Sequence, residues 1–141
     1  MSDTFSQVVQ LRLVVEVDDF DAAVRFYRDV LGLVDDEAFE GEGDARIALL
    51  QAGRATLEII NAAQKAMIDE VEAGGSPSPR IRVAFEVDDT ESVTKTLTEA
   101  GAELVASPTL TPWQSLNSRL DAPGGLQLTI FQELDRDDRS S

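Results

Sequence analysis

Two arginines, each followed four positions later by a glutamate, begin matching segments of this chain. Residues 12–19 read RLVVEVDD and residues 82–89 read RVAFEVDD, so five of the eight positions are identical. A guanidinium is a permanent cation whose planar N–H donors can bind a carboxylate, phosphate or carbonyl oxygen in bidentate fashion. The glutamates could instead pair with the arginines, because buried charges need partners. The segments predict either a site for an acceptor oxygen or a self-neutralising polar surface.

The chain contains no histidine and no cysteine. This composition excludes a histidine general base, a histidine-ordered triad and a thiolate nucleophile. It also excludes disulfides, zinc sites built from cysteine or histidine, and iron sites with two histidines and one carboxylate. Any chemistry must therefore come from carboxylate, guanidinium, hydroxyl, amide or aromatic groups.

The formal net charge is −15. Such a surface repels nucleic acids and anionic membranes, and it favours cationic partners. No apolar run approaches the roughly 18 residues of a membrane-spanning helix. The first residues, MSDTFSQ, have neither the basic start nor the apolar stretch of a secretory signal. We therefore expect a cytoplasmic protein that binds neither nucleic acid nor membrane.

The second matching segment begins 70 residues after the first in a chain of 141 residues. Two copies are too few for a solenoid, which needs about three or more repeats. A duplicated half closing on itself fits better, with a ligand cleft between the halves. Each half is predicted to contain a strand, a helix and then three strands.

The predicted elements follow from hydrophobic periodicity and from capping and turn residues. In the first half we predict a helix over 21–31, strands over 11–17, 46–50 and 55–60, and a loop or wide hairpin turn over 37–44. Between the halves we predict a helix over 62–73 and a linker over 74–79. In the second half we predict a helix over 90–100 and strands over 81–87, 103–107, 117–120 and 126–131. An aspartate precedes the helix in each half and is expected to cap it.

Three stretches resemble motifs of the vicinal oxygen chelate superfamily, which includes glyoxalase I, extradiol dioxygenases and bleomycin-resistance proteins. Residues 17–33, VDDFDAAVRFYRDVLGL, resemble the first-module motif of an aspartate, a helix ending in Phe-Tyr, and Leu-Gly. Residues 81–89, IRVAFEVDD, resemble the entry strand of the second module. Residues 122–132, APGGLQLTIFQ, resemble the closing hairpin. Together the similarity covers roughly residues 9–132.

The resemblance implies an α+β fold in which two βαβββ modules form a cup-shaped mixed β-sheet with helices outside. It implies one domain over 1–141, divided into module one (8–61), a helix and linker (62–80), module two (81–132) and a frayed tail (133–141). The resemblance also implies a homodimer.

The enzymes of this superfamily hold a metal ion with four inward-facing side chains. The resemblance places those positions at Arg12, Glu58, Arg82 and Thr129. An arginine has no lone pair to give, and a threonine hydroxyl is a weak substitute for a carboxylate. We therefore predict no metal and no cofactor at this site.

The residues predicted to bind a ligand share a place in the cup or at its rim, as the resemblance implies. They are Arg12, Glu58, Arg82, Trp113, Gln127 and Thr129. Strand alternation adds Glu16, Glu86, Asn117 and Arg119 as further candidates for the same face. Because buried charges must be paired, we predict an Arg–Glu network in which Glu58 lies between the two arginines with Glu16 and Glu86 nearby. Trp113 could stack on a planar or cationic ligand at the cavity mouth.

Three functions remain open from the sequence. The first is a binding protein that captures a small molecule, such as a cationic or aromatic antibiotic, without catalysis. The second is a lyase or isomerase of the glyoxalase type, with Glu58 as base and an arginine stabilising an enolate. The third is an accessory domain that senses a metabolite. The missing metal ligands favour binding over catalysis.

Overall fold

The computed structural model describes residues 12–40, 46–55, 58 and 60–134. Some predictions fall outside the described residues. These are the start of the strand predicted over 11–17, part of the loop over 37–44, residues 56, 57 and 59 of the strand over 55–60, and most of the tail.

The helix of the first half begins after Asp19, whose side chain accepts a hydrogen bond from the backbone N–H of Ala22 at 3.1 Å. This bond satisfies one of the donors that the first helical turn leaves unpaired. Helix α1 spans Phe20–Val24 and continues as a π-helical turn over Arg25–Val30. The predicted apolar stripe is buried or packed against the core and comprises Ala23, Phe26, Tyr27, Val30 and Leu31. The helix and its cap are confirmed.

Two antiparallel strands follow, β1 (Val34–Glu40) and β2 (Arg46–Gln51). β2 confirms the strand predicted over 46–50. The loop or wide hairpin turn predicted over 37–44 is wrong for residues 37–40, which belong to β1. They pair with β2, and this pairing across the sheet overrides their acidic, loop-like composition.

The strand predicted over 11–17 is not formed at residues 12–17. A strand needs a neighbour to accept its backbone hydrogen bonds. No described strand pairs with this segment. Two of its side chains, those of Val15 and Val17, instead lie against the tight turn at Gly124. Of the strand predicted over 55–60, the described residues 55, 58 and 60 also lie outside any strand.

The predicted order of strand, helix and three strands is confirmed in the second half. The elements are β3 (Val83–Glu86), α3 (Thr90–Glu99), β4 (Glu103–Leu110), β5 (Ser115–Ala122) and β6 (Leu126–Glu133). They form a sheet of order β3-β6-β5-β4, in which β3 runs parallel to β6 and the other pairs are antiparallel. Asp89 caps α3 by accepting from the N–H of Ser92, as Asp19 caps α1.

One face of this sheet packs on α3 and on the π-helical turn that follows α1, and forms the apolar core. Leu97 of α3 and Leu120, Leu128 and Ile130 of the sheet are fully buried there. The hydroxyl of Tyr27 donates to the backbone oxygen of Pro123 at 2.6 Å. Burial raises the pKa of Tyr27 to about 12. The helix of the first half is thus fixed to the β5–β6 turn of the second.

Helix α2 (Ala62–Ala73) joins the two halves and confirms the helix predicted over 62–73. The side chain of Asn61 caps its start by accepting from the N–H of Gln64, and Gly74 ends it with a φ of 61°. The helix contacts β4 and β5. In the part of the chain that the structure describes, no helix is long and apolar enough to cross a membrane.

Candidate functional site

The side of the second sheet that faces away from the apolar core carries polar side chains. Successive residues of a strand point to opposite faces, so Leu128 and Ile130 enter the core while Gln127 and Thr129 point the other way. The same alternation separates Leu120 from Arg119 on β5. We call this surface the polar face and define it by Arg82, Asn117, Arg119, Gln127 and Thr129.

Arg82 and Thr129 are joined directly on the polar face. Nη1 of Arg82 donates to Oγ1 of Thr129 at 2.6 Å. Thr129 is 2% exposed, whereas Arg82 is half-buried. Within the described residues Arg82 forms no ion pair with a carboxylate. The guanidinium therefore keeps most of its five N–H donors for another acceptor.

Arg119 lies directly across from Thr129 in the sheet and is 0% exposed. Its Nε donates to Oε1 of Glu72 at 2.9 Å. Its Nη1 lies 2.8 Å from Oδ1 of Asp69, as an ion pair without hydrogen-bond alignment. Both carboxylates belong to α2 and are themselves buried. A fully buried guanidinium thus holds α2 over part of the polar face.

Asp69 is the carboxylate that accepts most contacts in this cluster. Its oxygens accept from the backbone N–H and hydroxyl of Ser78 and from Nζ of Lys65. Burial raises the pKa of this carboxyl, but the contacts from Ser78, Lys65 and Arg119 together hold the pKa of Asp69 well below its usual value. Asp69 is therefore charged across the physiological pH range.

A chain of hydrogen bonds continues from Glu72 to the turn that carries Trp113. Nδ2 of Asn117 donates to Oε2 of Glu72 at 2.6 Å, and Oγ of Ser115 donates to Oδ1 of Asn117 at 2.6 Å. Ser115 in turn contacts Thr111 on the other side of the turn. Trp113 is 41% exposed. The turn is thus connected through buried polar contacts to the α2 cluster.

The structure brings together three of the six predicted ligand-binding residues. Arg82, Gln127 and Thr129 share the polar face, and Trp113 lies on the turn between β4 and β5. Arg12 and Glu58 are exposed. Asn117 and Arg119 also lie on this face, as alternation predicts.

The sequence predicted a buried Arg–Glu network centred on Glu58, with Glu16 and Glu86 nearby. The buried network that the structure shows is instead centred on Arg119. Its carboxylates, Asp69 and Glu72, were missed because they lie on α2 rather than on a strand. Their spacing of three residues, which places both on one face of a helix, was the available signal.

The four positions that the family resemblance assigns to a metal do not fit a divalent cation. Arg12 and Arg82 are permanent cations without a lone pair. The hydroxyl oxygen of Thr129 already accepts a hydrogen bond from Arg82. Of the four side chains, only the carboxylate of Glu58 is of a kind that commonly binds metal ions. Among the described residues no cluster of three or more His, Cys, Asp or Glu side chains is arranged to hold a metal ion.

A family model described as the Glyoxalase/Bleomycin resistance protein/Dioxygenase superfamily matches residues 9–130. A comparison with curated proteins finds no match.

Solved structures of similar fold cover nearly the whole chain. A member of the same superfamily from Sphaerobacter thermophilus DSM 20745 is 20% identical with a TM-score of 0.61, covering 91% of this chain and 100% of its own. TnmS3, an antibiotic binding protein from Streptomyces sp. CB03234, is 20% identical with a TM-score of 0.59, covering 92% and 99%. A glyoxalase/bleomycin resistance protein/dioxygenase from Nocardioides is 22% identical with a TM-score of 0.52, covering 95% and 89%. Similarity at these identities shows the fold alone.

Proposed function

We propose that this chain, which belongs to the Glyoxalase/Bleomycin resistance protein/Dioxygenase superfamily, binds a small organic molecule on its polar face without metal-dependent catalysis. The polar face would be the floor of the cup that the family resemblance implies. Arg82, Gln127 and Thr129 would contact the ligand from the sheet. Arg12, Glu58 and Trp113 would complete the binding set from the first half and the rim.

The observation on which this proposal rests is the burial of Arg82 together with its lack of a charged partner in the described part of the chain. It is half-buried, its one hydrogen bond goes to a neutral hydroxyl, and it has no carboxylate partner within the described residues. A partly desolvated cation without a counter-charge is costly. An acceptor oxygen of a ligand would offset that cost through a charge-assisted hydrogen bond, which is about twice as strong as a neutral one.

The ligand class follows from the surroundings of Arg82. Trp113 offers a partly exposed ring for stacking, which favours an aromatic molecule. The net charge of −15 attracts cationic molecules. The description of TnmS3 as an antibiotic binding protein supports an antibiotic among such ligands. We therefore propose an aromatic molecule that bears an oxygen acceptor and either a neutral or a positive overall charge.

Calorimetric titration with a panel of aromatic antibiotics, neutral and cationic, tests this function. Trp113 is the only tryptophan, so its fluorescence reports binding at the rim independently. Arg82→Met should weaken the affinity of any ligand that binds by about 10- to 100-fold, because it removes a charge-assisted hydrogen bond. Arg82→Lys should retain little of the affinity that Arg82 provides, because an ammonium lacks the planar array of N–H donors of a guanidinium.

Arg80→Met is the matched control, since Arg80 is exposed and lies two positions away. It removes the same charge and should leave affinity nearly unchanged. Equal losses in the two variants would mean that only the overall charge matters. No saturable binding to any member of the panel would contradict the proposal as a whole.

We propose further that the protein acts in the cytoplasm as a homodimer. Leu13 and Val14 of the first half are 53% and 84% exposed, and Ile47 of β2 is also exposed. Contact with a second copy would remove such apolar surface from water. Sedimentation equilibrium should give twice the mass of one chain, and Val14→Asp should shift the protein towards the monomer. A monomer at all concentrations of the unaltered protein would contradict the assembly.

A further inference from the structure

Gln127 is a buried side chain whose amide oxygen has no partner. Its Nε2 donates to Oδ1 of Asp121 at 3.3 Å. A carboxylate only accepts hydrogen bonds, so the amide nitrogen must face Asp121 and the oxygen must face away. That oxygen, Oε1, is fully buried and has no hydrogen-bond partner among the described residues. Gln127 therefore offers an unfilled acceptor.

Arg119 offers an unfilled donor nearby. Its Nε and Nη1 are directed to Glu72 and Asp69, whereas Nη2 is buried and has no hydrogen-bond partner within the described part of the chain. A buried polar group left unpaired costs about 1–3 kcal/mol, and more when the group is charged. Such groups in a folded protein call for a water or a ligand.

The unfilled donor and acceptor are neighbours on the same face of the sheet. Arg119 pairs with Thr129 across β5 and β6, and Gln127 precedes Thr129 by two residues on β6. Residues in this diagonal relation lie about 7–8 Å apart, within the reach of long side chains such as those of arginine and glutamine. Arg82, which immediately precedes β3, reaches the same place through its bond to Thr129.

This place lies at the border between a covered and an open half of the polar face. Helix α2 contacts β4 and β5 and covers that half. On β3, Ala84 and Glu86 are exposed, so the half beside β6 is open. A ligand anchored on Arg82 would approach from the open half. It would meet Gln127 and Nη2 of Arg119 at the edge of α2.

We propose that Gln127 and Arg119 form a subsite for a carboxamide group, so that the ligand is an aromatic amide or lactam. The carbonyl oxygen of the ligand would accept from Nη2 of Arg119, and its N–H would donate to Oε1 of Gln127. A ketone, an ester or a carboxylate has no N–H and would leave Oε1 buried and unpaired. This subsite deepens the proposed function and rests on it.

Two probes of nearly the same shape test the proposal. 2-Naphthamide carries the amide, and in 2-acetonaphthone a methyl group replaces the NH₂. The unaltered protein should bind the amide about tenfold more tightly, because the ketone leaves one acceptor unsatisfied. Calorimetry or ligand-observed NMR gives both dissociation constants without any variant.

Gln127→Met removes the acceptor at similar volume and should bring the two affinities to within about twofold of each other. Gln51→Met, at the exposed end of β2, is the matched control and should keep the difference. Equal binding of the two probes to the unaltered protein, with both lost in Arg82→Met, would overturn the subsite and leave the proposed function standing. Failure of both probes to bind, while a member of the antibiotic panel binds and is lost in Arg82→Met, would overturn the subsite alone. Failure of the panel as well as the probes would overturn the two together.

A crystal structure with 2-naphthamide supplies a second readout. The expected result is the amide oxygen within hydrogen-bond distance of Nη2 of Arg119 and the amide nitrogen within hydrogen-bond distance of Oε1 of Gln127. An ordered water bridging these two protein atoms while the probe is bound elsewhere would overturn the proposal.

Discussion

Nε of Arg119 donates to Oε1 of Glu72 at 2.9 Å, across 47 residues of chain, and both side chains are buried. This bond joins β5 to α2, the helix that connects the two halves. Because Asp69 approaches the same guanidinium and also pairs with Lys65, the contact is a cluster of two cations and two anions. The position of α2 over the polar face depends on it.

Arg119→Met should lower the free energy of unfolding by about 3–5 kcal/mol, because it leaves the buried carboxylate of Glu72 without a cation and that of Asp69 with Lys65 alone. Equilibrium urea unfolding followed by far-ultraviolet circular dichroism measures the change. Arg54→Met, at an exposed position, is the control and should change stability by about 0.5 kcal/mol or less. A loss below about 1 kcal/mol for Arg119→Met would show that the cluster does not hold the helix.

The local parts of this arrangement were predictable from the sequence. Asp19 and Asp89 cap their helices because a cap depends only on residues three positions away. The bounds of α2 follow from composition and from Gly74. The order of elements in the second half follows from periodicity and turn residues. The alternation that places Arg119, Gln127 and Thr129 on one face follows from the period of a strand.

The pairing between distant elements was not predictable in the same way. Residues 12–17 have the composition of a strand, but a strand also needs a neighbour, and Val15 contacts the turn at Gly124 instead. Composition likewise cannot say that α2 presents Glu72 to Arg119, because that depends on where the helix docks on the sheet. The ligand-binding roles of all six residues stay predictions, namely those of Arg12, Glu58, Arg82, Trp113, Gln127 and Thr129.

The stability of the protein should fall in acid partly through Asp69. Its pKa is lowered in the folded state, so the unfolded chain binds the proton first as the pH falls. The stabilisation is therefore complete above about pH 4, the ordinary range of an aspartate, and is lost progressively below it. Urea unfolding at a series of pH values should show a steeper acid loss for the unaltered protein than for Asp69→Asn.

Glu70→Gln supplies the control for this pH series, since Glu70 is an exposed neighbour on the same helix. It should retain the acid dependence of the unaltered protein. Parallel curves for the unaltered protein and Asp69→Asn would mean that Asp69 titrates alike in both states.

We expect the contribution of Tyr27 to stability to be lost at high pH, whereas that of Asp69 is lost at low pH. It is the only tyrosine in the chain, so tyrosinate absorbance follows it alone. The midpoint should lie near 12 in the folded protein and near 10 in urea. Because the folded state raises the pKa, its contribution to stability is present below about pH 10 and is lost as the pH rises through the folded value.

Tyr27→Phe should cost about 1 kcal/mol at neutral pH, because the backbone oxygen of Pro123 loses its donor. The variant should also lose less stability between neutral and alkaline pH than the unaltered protein. A midpoint near 10 in the folded state would show that the hydroxyl is open to water and does not join the two halves.

The contact between residues 12–17 and the β5–β6 turn can be tested by substituting two adjacent glycines of that turn. Gly124 and Gly125 both have positive φ values, of 87° and 70°. A Cβ on Gly124 would lie 2.7 Å from Cγ1 of Val15, whereas a Cβ on Gly125 meets nothing within 4 Å.

Gly125→Ala should cost about 1 kcal/mol through backbone strain alone. Gly124→Ala should cost about 1–3 kcal/mol more, because Val15 must move. Val15→Ala should remove most of that excess in the double variant, because only the 3.2 Å approach to Cγ1 of Val17 remains, and it should leave the cost of Gly125→Ala unchanged. Equal costs at the two glycines would place residues 12–17 away from the turn.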